Sequence, residues 1–338
     1  MSGTPAVTVL MAVFNGERWL NQAVESILAQ TMANFQFIIV NDGSEDGSPR
    51  MLRAFQDRDS RIQIIDKENT GLADSLNVGI TCANGDWIAR IDADDLSEPH
   101  RLQHQLDFVK RHPDIGLLGS GHHEIDENGV VVGTWRYPAI HESLMSRLEK
   151  KIAKGFFAHS SAFYSKRLVK RIGGYRPRIR RSEDYDLWLR LSENVKLACL
   201  PEPLIRLRKH VDQISHEEGG RRQITDSHIA LISYLLRRQG LQDPVDASVS
   251  EHEFKAFKQF VYHHLDVAGR FDLAKLVNDL KTINHQSPDA PTALARSSRL
   301  AVAQPKLLVR YALNRLFGDR LARHIAAEWA RDHPTCAA

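Results

Sequence analysis

The sequence has few cysteines and no long apolar run. Its three cysteines are far apart in 338 residues and form no CxxC pair, which argues against a disulfide framework and a thiolate zinc site. No apolar stretch approaches the roughly 20 residues that span a bilayer, and the first residues lack the basic segment of a secretory leader. We therefore expect a cytoplasmic protein, at most peripherally attached to the inner face of the membrane.

An excess of charge of one sign is also missing. The formal net charge is +3, from 45 basic and 42 acidic residues. This balance is too mild for a nucleic-acid-binding surface, so no nucleic acid partner is expected. The motifs GxGxxG and GxxxxGKS are absent as well, which excludes the common dinucleotide and P-loop phosphate sites. Phosphate binding by this chain would therefore depend on a metal ion.

The first two hundred residues alternate β-rich and helical patterns. Buried strands are predicted over 7–13, 35–40, 61–65 and 86–91, and amphipathic helices over 17–30, 47–58 and 72–83. This alternation predicts an α/β fold with a Rossmann-like, mostly parallel central sheet flanked by helices. A polar turn follows each strand, and ligands of such sheets bind beyond the carboxyl ends of the strands. The four turns are therefore expected to meet at one site.

The strand pattern ends near residue 217. We predict an α/β domain over residues 1–217, with halves at about 1–114 and 115–217, and a strand pair around the turn at 126–129 in the second half. Helical patterns alone continue over residues 218–338, with hinges at Gly219-Gly220 and at 287–291. This region is predicted to be a C-terminal helical extension.

Three carboxylates, Asp92, Asp94 and Asp95, crowd the end of one predicted strand. Like charges at a strand end are costly unless a cation or hydrogen-bond donors compensate for them. Oxygen ligands of this kind suit Mg²⁺ or Mn²⁺. A solvated acidic turn that caps the next helix is the alternative interpretation.

The turn over residues 41–44 follows the second predicted strand. The carboxylate of Asp42 and the free backbone N–H groups of the turn can hold a ribose or a base edge. A plain β-turn with Asp and Gly explains the same residues, so the turn by itself indicates no ligand.

A predicted helix begins near Ser182, a candidate N-cap, and carries Glu183, Asp184 and Asp186 in its first turn. The helix dipole explains acids at this place without any function. It does not explain the nearby loop at 210–216, which is rich in groups that bind metal or phosphate, although a single histidine is more often structural.

Six segments, in this order and spacing, resemble glycosyltransferase family 2: AVFNGERWLNQAVESILAQT, IIVNDGSEDGS, NTGLADSLNVGI, ANGDWIARIDADD, SEDYDLWLRL and IRLRKHVDQIS. The resemblance covers about residues 7–216. It implies the GT-A fold, with a nucleotide-binding half at about 1–114 and an acceptor half at 115–217. It also implies an inverting transferase that moves a sugar from a nucleoside diphosphate sugar to an acceptor hydroxyl.

The resemblance assigns roles to individual residues. The expected nucleotide-sugar site consists of Val13, Phe14, Asn15, Glu17, Asp42, Asn69, Gly71, Asp92 and Ala93. The expected ligands of Mn²⁺ or Mg²⁺ are Asp94, Asp95 and His210. In the pair Glu183-Asp184, Asp184 is the expected general base, whereas helix geometry alone leaves Glu183, Asp184 and Asp186 equally open.

The resemblance suggests a UDP-sugar donor, a saccharide or glycolipid acceptor, and a role in bacterial surface polysaccharide, lipopolysaccharide or glycolipid synthesis. A polyprenyl-phosphate sugar transferase, which needs no strong base, is one alternative, and a non-catalytic nucleotide-sugar-binding protein is another. The basic, leucine-rich segment at 291–338 is expected to pack on the catalytic domain or in a homodimer, or to rest on an anionic membrane.

Overall fold

The computed structural model describes residues 4–137, 139–150, 156–210, 221–271 and 318–333. Two compact units divide these residues: 4–148 and 156–210 belong to the first, and 149–150, 221–271 and 318–333 belong to the second. The predicted boundary between residues 217 and 218 and both predicted hinges lie outside the described residues.

The first half of unit one is a parallel α/β layer. Its strands are β1 (Val7–Val13), β2 (Gln36–Asp42), β3 (Ile62–Lys67) and β4 (Trp87–Asp92), in the spatial order β3-β2-β1-β4. The helices between them are α1 (Glu17–Leu28), α2 (Ser48–Arg58) and α3 (Leu72–Cys82). The predicted strands and helices are confirmed, with shifts of one or two residues at their ends.

Helix α1 shows why these elements pack together. Leu20, Ala23, Val24 and Ile27 recur at helical spacing and are fully buried in the same core as Val9 of β1. Each large aliphatic side chain buried in this way contributes roughly 1.5–3 kcal/mol. Strands β1 and β2 read as continuous apolar runs because helices cover both faces of a parallel sheet.

The second half of unit one extends the same sheet with mixed strands. These are β5 (Leu96–Ser97), β6 (Ile115–Ile125), β7 (Val131–Trp135), β8 (Phe163–Ser165) and β9 (Lys196–Arg208), and the helices are α4 (Arg101–Arg111), α5 (His141–Lys150), α6 (Lys166–Arg171) and α7 (Glu183–Ser192). Strand β8 lies antiparallel between β4 and β6, and β9 runs parallel to β6. The predicted hairpin is confirmed as the antiparallel pair of β6 and β7.

Strand β9 was not predicted from the sequence. It passes through Pro201 and Pro203, which interrupt the apolar pattern and cannot donate to the ladder. The register of β6 and β9 shifts at Gly121, opposite these prolines. The carboxyl end of this strand contacts the turn that follows β4, where the Arg208 N–H donates to Asp95 Oδ1 (2.8 Å).

Unit two is helical in its described residues, as the sequence predicted. Its helices are α8 (Arg221–Arg237), α9 (Glu251–Val267) and α10 (Gly318–Asp332). A capping box joins Ser250 and Glu253 at the start of α9, and Phe257 and Trp329 place their ring centroids 4.9 Å apart.

Two expectations concern the C-terminal segment. Among the described residues, no helix has the length and hydropathy needed to cross a membrane. Most of the basic, leucine-rich segment, including Lys306, Arg310 and Arg315, lies outside the described residues, so the membrane and homodimer interpretations stay predictions.

Candidate active site

The polar turns that follow the parallel strands meet at one edge of the sheet. In the strand register, Val13 of β1 lies opposite Asn41 of β2, and Ala12 of β1 lies opposite Asp92 of β4. Asp42 of β2 lies opposite Lys67 of β3. The expected meeting of these turns at the carboxyl ends of the strands is therefore confirmed.

The turn after β1 is fastened to the turn after β2. The Asn15 N–H donates to Ser44 Oγ (3.0 Å), and the Glu45 N–H donates to Asn15 Oδ1 (2.9 Å). Asn15 has a φ of 51°, in the left-handed region that Asn tolerates better than most residues. The Gly47 N–H donates to Glu17 Oε2 (2.9 Å). These hydrogen bonds fix the two turns relative to each other.

Val13 and Phe14, two residues of the predicted nucleotide-sugar site, differ in exposure. Val13 is buried and belongs to the core. Phe14 is 53% exposed at the edge of the sheet, so its ring is open to a ligand. The Glu17 carboxylate and the Asn15 amide oxygen accept hydrogen bonds from the turn after β2. Phe14 is therefore the accessible apolar side chain of this turn.

Asp42 joins β2 to the turn after β3. Its carboxylate accepts from Lys67 Nζ (2.6 Å), the Thr70 N–H (3.0 Å) and the Gly71 N–H (2.9 Å). Burial by itself raises the pKa of Asp42, but the Lys67 ammonium and the backbone donor outweigh burial and hold that pKa below its usual value. A Cβ on Gly43 would lie 2.8 Å from the Asn69 nitrogen, so the backbone of Asn69 packs closely against Gly43, next to Asp42.

Asp92, Asp94 and Asp95 form a compact carboxylate group at the end of β4. One oxygen from each lies within 4.8 Å of the others. The Asp92 carboxylate is paired with both terminal nitrogens of the buried Arg90 guanidinium and accepts from Ser160 Oγ (2.9 Å). Arg90 and Asp92 lie two positions apart on one strand, and side chains at that spacing share a face of the sheet.

Asp95 is the buried member of the group, with 1% of its surface exposed. Its oxygens accept from Ser160 Oγ and from the Arg208 N–H (2.8 Å). Burial, together with the charges of Asp94 and Asp92, raises the pKa of Asp95 well above its usual value. A cation beside these oxygens would relieve this repulsion.

His210 follows the carboxyl end of β9. Its Nε2 lies 2.9 Å from Asp94 Oδ2, so the sequence-predicted metal residues Asp94, Asp95 and His210 are brought together. Arg208 on the same strand donates from Nε to the Asp94 carbonyl oxygen (2.9 Å). Arg208 and His210, at the carboxyl end of β9, therefore both contact the carboxylate group.

The pair Glu183-Asp184 begins helix α7, with Ser182 at the N-cap position but without a side-chain cap hydrogen bond. Burial and the Asp184 charge raise the pKa of Glu183 to about 8. Burial also raises the pKa of Asp184, although the Tyr185 N–H opposes that shift. Desolvation is therefore the larger effect on both carboxyl groups, and the backbone N–H at the helix start only partly offsets it for Asp184.

The surroundings of Asp186 indicate a structural role. It is fully buried and paired with the guanidinium groups of Arg176 and Arg190, the latter at 2.9 Å. A carboxylate held between two guanidinium groups is a poor proton acceptor. The three acids of the first turn, which helix geometry left open, therefore differ sharply in environment.

A short 3₁₀ helix, His159–Ser161, connects the two carboxylate groups. Ser160 Oγ contacts both Asp92 and Asp95, and the His159 Nδ1 atom lies 3.9 Å from Glu183 Oε1. The Arg90 and Asp92 charges also act on the pKa values of Glu183 and Asp184. The carboxylates of β4 and α7 therefore belong to one site.

Sequence reasoning missed the residues that support these carboxylates. They are Arg90, His159, Ser160, Lys67 and Arg208. The spacing of Arg90 and Asp92 on a predicted strand was a usable signal for the first of them. Nothing in the segment around His159 and Ser160 indicated that it would reach β4, because that contact depends on where β8 pairs.

Comparisons with known proteins identify the family. The family model of glycosyl transferase family 2 matches residues 8–173. EpsE of Bacillus subtilis is 38% identical over 218 residues, which cover 63% of this chain and 76% of EpsE. The O-antigen biosynthesis glycosyltransferase WbnJ of Escherichia coli is 32% identical over 208 residues, which cover 60% of this chain and 80% of WbnJ.

Solved structures have the same fold. TarS of S. aureus, in complex with UDP-GlcNAc, aligns over 96% of this chain and 92% of its own with a TM-score of 0.58 and 14% identity. The mannosyltransferase PcManGT of Pyrobaculum calidifontis, in complex with GDP-Man and Mn²⁺, aligns over 94% of this chain and 88% of its own with a TM-score of 0.52 and 17% identity. Together with the sequence relatives, this fold shows that the chain is a glycosyltransferase of family 2 with the GT-A architecture.

Proposed function

We propose that the chain is an inverting, metal-dependent glycosyltransferase that moves a sugar from a nucleoside diphosphate sugar to an acceptor hydroxyl. The observation that carries this proposal is the single site formed by two carboxylate groups, joined through His159 and Ser160. One group is suited to a cation and the other to accepting a proton. A nucleotide-sugar-binding protein without activity would need only the first group.

The β4 group fits Mn²⁺ or Mg²⁺. Asp92 and Asp94 side chains are about one-third exposed, at 34% and 30%, and His210 adds an imidazole nitrogen beside Asp94. Asp94 and His210 would hold the ion, with Asp95 offering its remaining lone pairs. When bound, the ion would neutralise charge on the leaving diphosphate and orient it.

The remaining residues bind and orient the donor. Asp42 holds the backbone of Thr70 and Gly71 in place, and Asn69 closes the same side, so this region would enclose the base and ribose. The exposed ring of Phe14 offers apolar surface on the opposite turn. Asp92 and Ala93 would lie beside the ribose and diphosphate. Arg90, buried and paired with Asp92, fixes the orientation of that carboxylate.

Asp184 is the residue that we assign as general base. Its raised pKa brings the carboxylate closer to the value at which a base works best near neutral pH. Glu183 is more buried, and a pKa of about 8 keeps much of it protonated at pH 7. Asp186 is occupied by two arginines. The acceptor hydroxyl would lose its proton to Asp184 as its oxygen attacks the anomeric carbon and the bond to the diphosphate breaks.

Relatives suggest the substrate classes. Structures of TarS contain UDP or UDP-GlcNAc, and PcManGT contains GDP-Man, so we propose a UDP-sugar first and a GDP-sugar second. WbnJ acts in O-antigen biosynthesis. A saccharide or glycolipid of a bacterial surface polysaccharide is therefore the proposed acceptor.

A donor and acceptor panel tests the proposal. UDP-, GDP- and dTDP-sugars are incubated with saccharide, glycolipid or polyprenyl phosphate acceptors, with Mn²⁺ or with EDTA, and free nucleoside diphosphate and glycosylated product are measured. Mn²⁺-dependent transfer to a hydroxyl is expected. Transfer only to polyprenyl phosphate would replace the proposal with that alternative, and donor binding without transfer to any acceptor would identify a binding protein.

A further inference from the structure

The first turn of α1 lies against the end of β9. The Trp19 and His210 rings have centroids 4.3 Å apart at an interplanar angle of 42°. The guanidinium of Arg208 lies 5.6 Å from the Trp19 centroid, and that of Arg18 lies 4.3 Å from it. The indole ring is therefore packed between the imidazole and two cations, at contact distances typical of aromatic and cation–π pairs.

Other contacts fix this arrangement. Arg208 donates to Gln22 Oε1 (2.8 Å) on the next turn of α1 and to the Glu127 carbonyl oxygen (2.9 Å) in the turn after β6. Arg18 forms an ion pair with the Glu127 side chain. These polar and aromatic contacts join helix α1 to β9. Trp19 itself is only half-buried.

The imidazole of His210 has an unusual hydrogen-bond environment. Histidines that bind metals usually donate their second ring N–H to a carboxylate or carbonyl, which fixes the ring orientation. The His210 Nδ1 atom is buried and has no hydrogen-bond partner among the residues that the structure describes. Within that set of residues, packing against the Trp19 ring and the contact of Nε2 with Asp94 therefore orient this histidine.

We propose that Trp19 is a positioning residue that holds His210 Nε2 towards Asp94, and that its indole ring is a spectroscopic reporter of cation binding at that pair. The inference rests on the proposed metal site. It adds that the packing of α1 against β9 sets the affinity of the site.

The test measures Mn²⁺ binding without substrate, by the electron paramagnetic resonance signal of free Mn²⁺ and by tryptophan fluorescence. Supporting residues of metal ligands typically change affinity by about 10- to 100-fold. Trp19→Leu is therefore expected to raise the Kd for Mn²⁺ by about 10-fold. Trp19→Phe keeps an aromatic ring and should bind within about twofold of the wild type, while losing most of the Mn²⁺-induced quenching.

Two controls separate this inference from the proposed function. Trp135→Phe, on the exposed strand β7, should keep both affinity and quenching. Asp94→Ala should lose Mn²⁺ binding. If Asp94→Ala loses binding while Trp19→Leu binds like the wild type, the positioning role is overturned and the metal site stands. If the wild type binds no Mn²⁺, or quenching persists fully in Trp19→Phe, the inference fails as well.

Discussion

Asp92 and Asp94 at the end of β4 have different surroundings from Glu183 and Asp184 at the start of α7. Asp92 is paired with Arg90, and Asp94 lies beside His210, so each of these partly exposed acids has a nitrogen partner, whereas Asp95 of the same group is buried. Glu183 is buried, and desolvation is the largest effect on the pKa of both Glu183 and Asp184, raising each above its usual value. The difference teaches that burial and partners, more than residue type, divide charge stabilisation from proton transfer.

Removing the cation ligand should have the largest effect. Asp94→Ala is expected to lower kcat by about 10³-fold or more, since a metal contributes several kcal/mol to charge stabilisation and each 1.36 kcal/mol changes a rate tenfold. Circular dichroism should show an intact fold, because the turn is a surface loop. Asp57→Ala, an exposed acid of α2, is the matched control. Full activity of Asp94→Ala, or of the wild type in excess EDTA, would refute metal dependence.

Replacing Asp186 tests whether its ion pairs with Arg176 and Arg190 stabilise the fold. Removing one member of a buried ion pair typically costs about 3–5 kcal/mol, which for a domain of this size lowers Tm on the order of 10 °C. Asp186→Asn should therefore unfold at clearly lower temperature than Asp57→Asn in differential scanning calorimetry. Equal Tm values for the two variants would mean that the pairing with Arg176 and Arg190 has no structural role.

Asp184 should affect the rate without affecting donor binding. Asp184→Asn keeps the shape of the side chain but removes the base, and a positioned general base contributes about 10²–10⁴-fold. We expect kcat to fall by at least about 10²-fold at unchanged donor Kd, measured by steady-state kinetics and calorimetric titration. Near-normal kcat in Asp184→Asn with an inactive Glu183→Gln would move the assignment to Glu183.

The pH dependence of stability tests the burial of Glu183. The pKa of Glu183 is raised from 4.5 to about 8, so the native state keeps a proton that the unfolded state releases between those values. Stability supplied by this proton is fully present below about pH 4.5 and is lost progressively as pH rises from there to about 8, by at most about 1.4 kcal/mol per pH unit. Urea denaturation at pH 5 and pH 8 should show Glu183→Gln gaining stability relative to the wild type at the higher pH. Parallel pH profiles would contradict the raised pKa.

The first half of unit one was predictable because its signals are local. Each of β1 to β4 is an apolar run followed by a polar turn, and parallel strands bring such turns to one edge regardless of side-chain detail. The second half of unit one depends on pairings between distant segments. β9 contains two prolines, and its approach to β4 sets the places of Arg208 and His210, which no local pattern reveals.

Within the site, too, local motifs were predictable and contacts between distant segments were not. Asp92, Asp94, Asp95 and the acids of α7 were found as motifs. Their division into roles was not predictable, because it depends on burial and on partners that lie elsewhere in the chain. Arg176 and Arg190 remove Asp186 from consideration as a base, and burial raises the pKa of Asp184 although the Tyr185 N–H at the helix start lowers it.

The stereochemistry of the product tests the central claim most directly. A base on α7 and a cation on β4 are proposed to act on opposite sides of the anomeric carbon, which requires a single displacement. With an α-linked nucleotide-sugar donor, proton NMR of the first product formed should show a β-glycosidic linkage through the coupling constant of its anomeric proton. An α-linked first product would contradict inversion and with it the assignment of Asp184.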